Sequence, residues 1–117
     1  MMSIVTIYHN PRCSKSRQTL SLINEKDITP EIILYKESPL SSRQIAEVVL
    51  LLGIKPLDLI RQSEPEFQAL GNLITEMTDD ELVDLMVKNP TLIQRPIVVA
   101  NGQARIGRPP ESVLEIL

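Results

Sequence analysis

The chain of 117 residues has one cysteine, one histidine, one phenylalanine, two tyrosines and no tryptophan. A lone cysteine excludes an internal disulfide and fits a reducing compartment. One cysteine and one histidine cannot supply the usual four ligands of a zinc site, so no metal is expected. The shortage of aromatics leaves the core to aliphatic side chains. At 43% hydrophobic residues, a chain of this length buries roughly 65% of its unfolded surface and needs no staples. Positive charge is not in excess. The formal net charge of −3 gives no electrostatic footprint for nucleic acid. The longest apolar run, "VVLLL" at 48–52, falls far short of the ~20 residues of a membrane span. The opening "MMSIVTIYHN" lacks a basic, then apolar, signal pattern. No repeat, linker or low-complexity tract divides the chain. A single-domain, monomeric, cytoplasmic protein is expected, binding neither nucleic acid nor membrane.

The elements follow from pattern. "SIVTIY" (3–8) is a short β-branched run and reads as a buried strand. A helix follows from about Cys13 to Glu25, with Leu20 and Ile23 on one face. Its start has two readings: Asn10 as cap with Pro11 in the first turn, or a cap nearer Cys13. "EIILY" (31–35) is a second strand, and strand–helix–strand in some thirty residues predicts a parallel βαβ unit. The middle is helical. Ser41 and Gln44, then Thr78 and Glu81, have capping-box spacing. Ile45, Val48, Val49 and Leu52 form one apolar stripe; Leu82, Leu85 and Met86 form another. Gly53 reads as a stop, and Pro56 and Pro65 as first-turn prolines. At the end, "PIVVA" (96–100) and "QARI" (103–106) flank Asn101-Gly102, a strong hairpin signal. Pro110 then opens a last helix with Val113, Leu114 and Leu117 inward. The fold class is α/β: a mixed sheet, βαβ then ββα, with helices on its faces and a helical insertion at about 41–90.

Chemistry concentrates in "IYHNPRCSKSRQTL" (7–20), which holds both the thiol and the imidazole. An unperturbed thiol is only ~3% thiolate at pH 7. Making it mostly thiolate takes roughly 2.7 kcal/mol. A helix N-terminus supplies ~0.3–1 kcal/mol, so cations must supply the rest. Arg12, Lys15 and Arg17 are neighbours in sequence, and His9 is close. Backbone N–H groups entering a helix also bind anions, so the features that ionise Cys13 would hold an oxyanion beside it. The alternative is a small buried filler thiol; the neighbours Pro, Arg, Ser and Lys argue against it.

"YHNPRCSKSR" (8–17), "LIRQSEPEFQALG" (59–71), "TDDELVDLMVKNPTLIQRPIVVANG" (78–102) and "GRPPESVLEIL" (107–117) together resemble the ArsC family of glutaredoxin-coupled arsenate reductases. The resemblance implies a thioredoxin-like fold and a nucleophile at Cys13. It implies an oxyanion site at Arg61 in "LIRQ", Arg95 in "QRP" and Arg108 in "GRP", with His9 and Ser16 tuning the thiolate and Pro96 as the cis-proline. Guanidinium forks bind tetrahedral anions bidentately and stay charged, which suits arsenate. Reducing arsenic(V) to arsenic(III) takes two electrons, hence two thiols, and this chain has one. The family supplies the second as glutathione, a co-substrate with no tightly bound cofactor, and glutaredoxin as final reductant.

Two other readings share the resemblance. Spx-like transcriptional regulators carry Cys-x-x-Cys in this loop, but "CSKS" places Ser16 where the second thiol would stand. A glutathione-linked oxidoreductase acting on another electrophile would use the same Cys13.

Overall fold

The computed structural model describes residues 4–117. The chain divides into two units: residues up to Ser38 together with Arg95–Leu117, and Pro39–Gln94.

The first unit holds β1 (Thr6–His9), α1 (Ser14–Glu25), β2 (Glu31–Leu34), β3 (Ile97–Ala100), β4 (Gln103–Ile106) and a 3-10 helix at Pro110–Ile116. The first strand, expected at 3–8, begins at Thr6 and runs one residue further, to His9; Ser3 lies outside the described residues. The sheet order is β2-β1-β3-β4. β1 and β2 are parallel, joined by α1, while β1–β3 and β3–β4 are antiparallel. This is the mixed sheet expected of βαβ followed by ββα. β1 is interior, and its residues alternate between half-buried and buried. The β3–β4 turn places Asn101 at φ 53° and Gly102 at φ 73°. Both left-handed, they give the tight turn whose twist matches the strands.

One aliphatic cluster ties α1 and the last helix to the sheet: Val5, Ile7, Ile23, Val98, Ala100, Val113 and Ile116, flanked by Leu20, Ile28 and Leu117. The last helix differs from expectation. It is 3-10 rather than α, so Val113 and Ile116 are buried and Leu114 turns outward. At three residues per turn, positions i and i+3 eclipse, so Ile116 joins Val113 inside; Leu117 still packs against the cluster, and Leu114 alone leaves the expected face.

The second unit is helical: α2 (Ser42–Leu52), α3 (Pro56–Leu59), α4 (Pro65–Gln68), a 3-10 segment Gly71–Glu76, α5 (Asp79–Lys88) and a 3-10 turn Pro90–Leu92. Both capping boxes form. Ser41 Oγ accepts from the Gln44 N–H and Gln44 Oε1 from the Ser41 N–H; Thr78 and Glu81 repeat the pattern. Such caps contribute ~0.5–2 kcal/mol each. Gly53 closes α2 in the left-handed conformation at φ 70°. α5 packs on α2 and α3 through Ile45, Val48, Val49, Leu82, Val83 and Met86.

Candidate active site

The register of the sheet gathers the site. β1 pairs with β2 up to His9–Leu34, with β3 from Tyr8–Ile97, and β3 with β4 from Ile97–Ile106. One residue beyond those pairs stand Tyr35, Asn10, Pro96 and Gly107, and Arg95 and Arg108 come next. All lie at the end of the sheet where the parallel strands finish, the usual ligand edge of an α/β sheet.

Cys13 sits at that edge as the N-cap of α1, with φ −92° and ψ 122°. Its own N–H donates to the Asn10 carbonyl at 3.0 Å. Of the two starts open from sequence, the one nearer Cys13 is therefore formed. The thiol is partly exposed. Burial pushes its pKa up, but four contributions outweigh it: the Ser16 N–H, a hydrogen bond from Arg95, the Lys15 N–H and the positive charge of Arg108. The net result is a thiol held below its ordinary value. Arg108 Nη2 lies 3.6 Å from the Cys13 sulfur, and its Nε donates to the Arg95 carbonyl at 2.8 Å. One guanidinium thus faces the sulfur and ties β4 to the segment before β3.

The cations differ from those nearest in sequence. Arg17 turns away and donates from Nη1 to the Pro11 carbonyl at 2.8 Å, and Lys15 serves the sulfur through its backbone. Successive helical residues fan out by about 100° around the axis, so neighbours along the chain cannot all face one atom. The strand register brings Arg95 and Arg108 instead.

His9 and Ser16 form a buried pair beneath the loop. His9 Nδ1 and Ser16 Oγ are 2.6 Å apart, and the Asn10 N–H donates to the same Oγ at 3.1 Å. Burial, then the charge of Arg17, holds His9 below its ordinary pKa. The ring is therefore neutral near pH 7, and acts by hydrogen bonding rather than as one of the cations. Asn10 also accepts from the Arg12 N–H through Oδ1 at 3.1 Å. It fixes the loop at both ends; the sequence offered it only as a candidate helix cap, although Asn before Pro is also a turn signal.

The Arg95–Pro96 peptide is cis. Pro96 faces Gly107, whose N–H donates to the Pro96 carbonyl at 2.9 Å. A Cβ on Gly107 would stand 2.5 Å from Thr19 Oγ1 and 2.7 Å from Pro96 Cγ, so only glycine permits this approach. Arg61 belongs to the second unit. Its N–H donates to the Leu92 carbonyl, beside an Ile60–Ile93 bridge. Its Nε lies 3.6 Å from Glu64, and its buried Nη1 has no hydrogen-bond partner.

A thiol with its pKa lowered beside two guanidinium groups, at the end of a mixed sheet, suits nucleophilic attack on an oxyanion. The model of the ArsC family matches residues 8–116. The chain belongs to the ArsC family. This family member is 48% identical over 118 residues to the uncharacterized protein YfgD of Escherichia coli strain K12, across 100% of this chain and 99% of that one. It is 42% identical over 116 residues to an arsenate reductase of Escherichia coli, across 99% and 82%. A solved arsenate reductase from Vibrio cholerae superposes with a TM-score of 0.95 at 44% identity, covering both chains fully. The ArsC-family fold, a thioredoxin-like sheet with helices, is the fold expected above. Among the described residues no helix is long and apolar enough to cross a membrane.

Proposed function

We propose that this ArsC-family protein is an arsenate reductase. The observation that carries the reading is the Cys13 sulfur 3.6 Å from Arg108, its pKa lowered by two backbone N–H groups and two arginines. The same groups suit a tetrahedral anion, because donors that favour a thiolate also favour an oxyanion. Similarity to arsenate reductases along nearly the whole chain supports it.

In the proposed reaction the Cys13 thiolate attacks arsenic, forming a sulfur–arsenic bond and expelling one oxygen, which leaves as water after protonation. Arg95 and Arg108, with Arg61 by its match to the family motif, neutralise the remaining oxygens. Glutathione then forms a second sulfur–arsenic bond through its own sulfur, and a second arsenate oxygen leaves as water, taking the glutathione thiol proton. The two sulfurs become a mixed disulfide as arsenic takes up two electrons and departs as arsenite. Glutaredoxin frees Cys13 by thiol–disulfide exchange. A cavity of about 240 Å³ flanks the loop, lined in part by Arg12, Lys36 and Glu37. Two cations and a carboxylate complement the carboxylates and ammonium of glutathione. His9 and Ser16 hold the loop so that the Ser16 and Lys15 N–H groups point at the sulfur. The helical stretch at about 41–90 is read as an insertion within one catalytic domain, working in the cytoplasm.

The test is arsenite production by purified protein with glutathione and glutaredoxin, omitting each in turn. Arsenite forming only in the complete mixture is the expected result; none in the complete mixture overturns the reading.

A further inference from the structure

We infer that Tyr35 is a substrate-contacting residue, its phenolic O–H donating to an oxygen of the tetrahedral oxyanion held at Cys13. The inference rests on the oxyanion-site reading above.

Tyr35 is 1% exposed, yet its hydroxyl has no hydrogen-bond partner. Buried polar groups are nearly always paired, because leaving one unsatisfied is costly. An exception at the ligand edge of a sheet points to a partner that arrives with the substrate. The register puts Tyr35 beside Asn10, one residue past the His9–Leu34 pair. Arg95, by its charge and as a donor, and Asn10, as a donor, lie towards the phenol oxygen, and the Cys13 charge acts on it too. None meets full hydrogen-bond geometry with the hydroxyl, and none offers its proton an acceptor. The sulfur takes its hydrogen bonds from Ser16, Lys15, Arg95 and Arg108 rather than from Tyr35. Arg95 offers only donors, so it cannot accept from the phenol. An oxyanion oxygen between Arg95 and the sulfur supplies the missing acceptor.

The phenol is suited to that task. Burial, above all, and the nearby Cys13 charge raise its pKa, outweighing the opposing influence of Arg95 and Asn10. It therefore keeps its proton while the thiol, shifted the other way, ionises. A neutral donor binds an anion without deepening the positive field that would otherwise trap product. No proton is transferred; the contact is a hydrogen bond only.

The test reads oxyanion binding without reduction. Cys13 is alkylated with iodoacetamide while arsenate, or phosphate, is titrated in as protectant. Hydrogen bonds to charged groups imply that Tyr35→Phe weakens protection by both anions about tenfold or more. The alkylation–pH profile without anion stays as in the wild type, and thermal stability holds or rises, since an unpaired hydroxyl has gone. Protection equal to wild type overturns the inference. So does a shifted pH profile with protection retained, which would make the phenol a thiolate ligand. A fall in stability with unchanged protection would make it structural. Should Tyr35→Phe fail to fold, 3-fluorotyrosine at position 35, a stronger donor, must tighten protection; no change overturns the inference equally. Wild-type protein that neither anion protects takes this inference down with the oxyanion-site reading, whereas loss of arsenite formation with protection intact touches only the redox steps.

Discussion

Replacing Arg108 by glutamine isolates one cation from the sulfur it faces. At the observed 3.6 Å, a unit charge pair in water-like screening is worth about 1.2 kcal/mol. The water-like value applies because Arg108 is exposed and solvent screens it. That energy lowers the thiolate-to-thiol ratio about sevenfold at any pH below the thiol midpoint. The assay is the rate of iodoacetamide alkylation against pH, with thiolate absorbance as a second readout. Arg108→Lys separates charge from shape: it keeps most of the thiolate but loses the Nε–H bond to the Arg95 carbonyl. Raising the salt to 1 M, where screening acts within ~3 Å, should narrow the gap between wild type and Arg108→Gln. Arg95→Gln should move the profile further than Arg108→Gln, since the Arg95 hydrogen bond outweighs the Arg108 charge at the sulfur. An Arg108→Gln profile that superposes on the wild type would falsify the assignment of this arginine to the thiolate.

The remaining predictions are as follows. Cys13→Ser should abolish arsenite formation, and arsenite assays showing unchanged turnover would end the enzyme reading. Ser16→Ala strands the buried His9 Nδ1 and the Asn10 N–H, so denaturant unfolding should register a loss of ~1–3 kcal/mol; an unchanged midpoint would show the pair to be idle. Because the folded pKa of His9 is lowered, its contribution to stability is full above the ordinary imidazole value and is lost as pH falls through the folded value. Thermal scans from pH 7 to 5 should therefore fall more steeply for wild type than for His9→Gln, and parallel curves would contradict the burial argument. Gly107→Ala should cost ~1–3 kcal/mol by overpacking against Thr19 and Pro96, read as a lower melting temperature; an unaltered one would mean that the contact relaxes freely.

Local signals carried most of the fold. Asn101-Gly102 announced its hairpin because both residues tolerate the left-handed region, a property of the dipeptide itself. Ser41 and Thr78 announced their helices because a capping box closes within four residues. The last helix was harder: Val113, Leu114, Ile116 and Leu117 fit either helical period, and packing under the sheet selected the 3-10 form. The site divided along the same line. Cys13 could be read from its own neighbours, whereas the charges around it could not. Arg12, Lys15 and Arg17 are close along the chain, but strand pairing decides which guanidinium meets the sulfur. Arg95 and Arg108 came only with the resemblance. Tyr35 had a signal that went unused: a hydroxyl-bearing aromatic directly after β2, buried at the ligand edge.

The hairpin turn has a chemical lifetime of its own. Asn101 Nδ2 donates to the Ile116 carbonyl at 2.7 Å, fastening the terminal helix to the β3–β4 turn. Asparagine is a thermolabile residue, and a following glycine leaves its side-chain amide especially open to deamidation. Conversion of Asn101 to aspartate would replace a donor by a negative oxygen facing that carbonyl, so the clasp becomes a repulsion. Ageing of the protein should therefore begin by loosening its C-terminal segment, at the opposite end of β4 from the thiol, before the catalytic edge is touched.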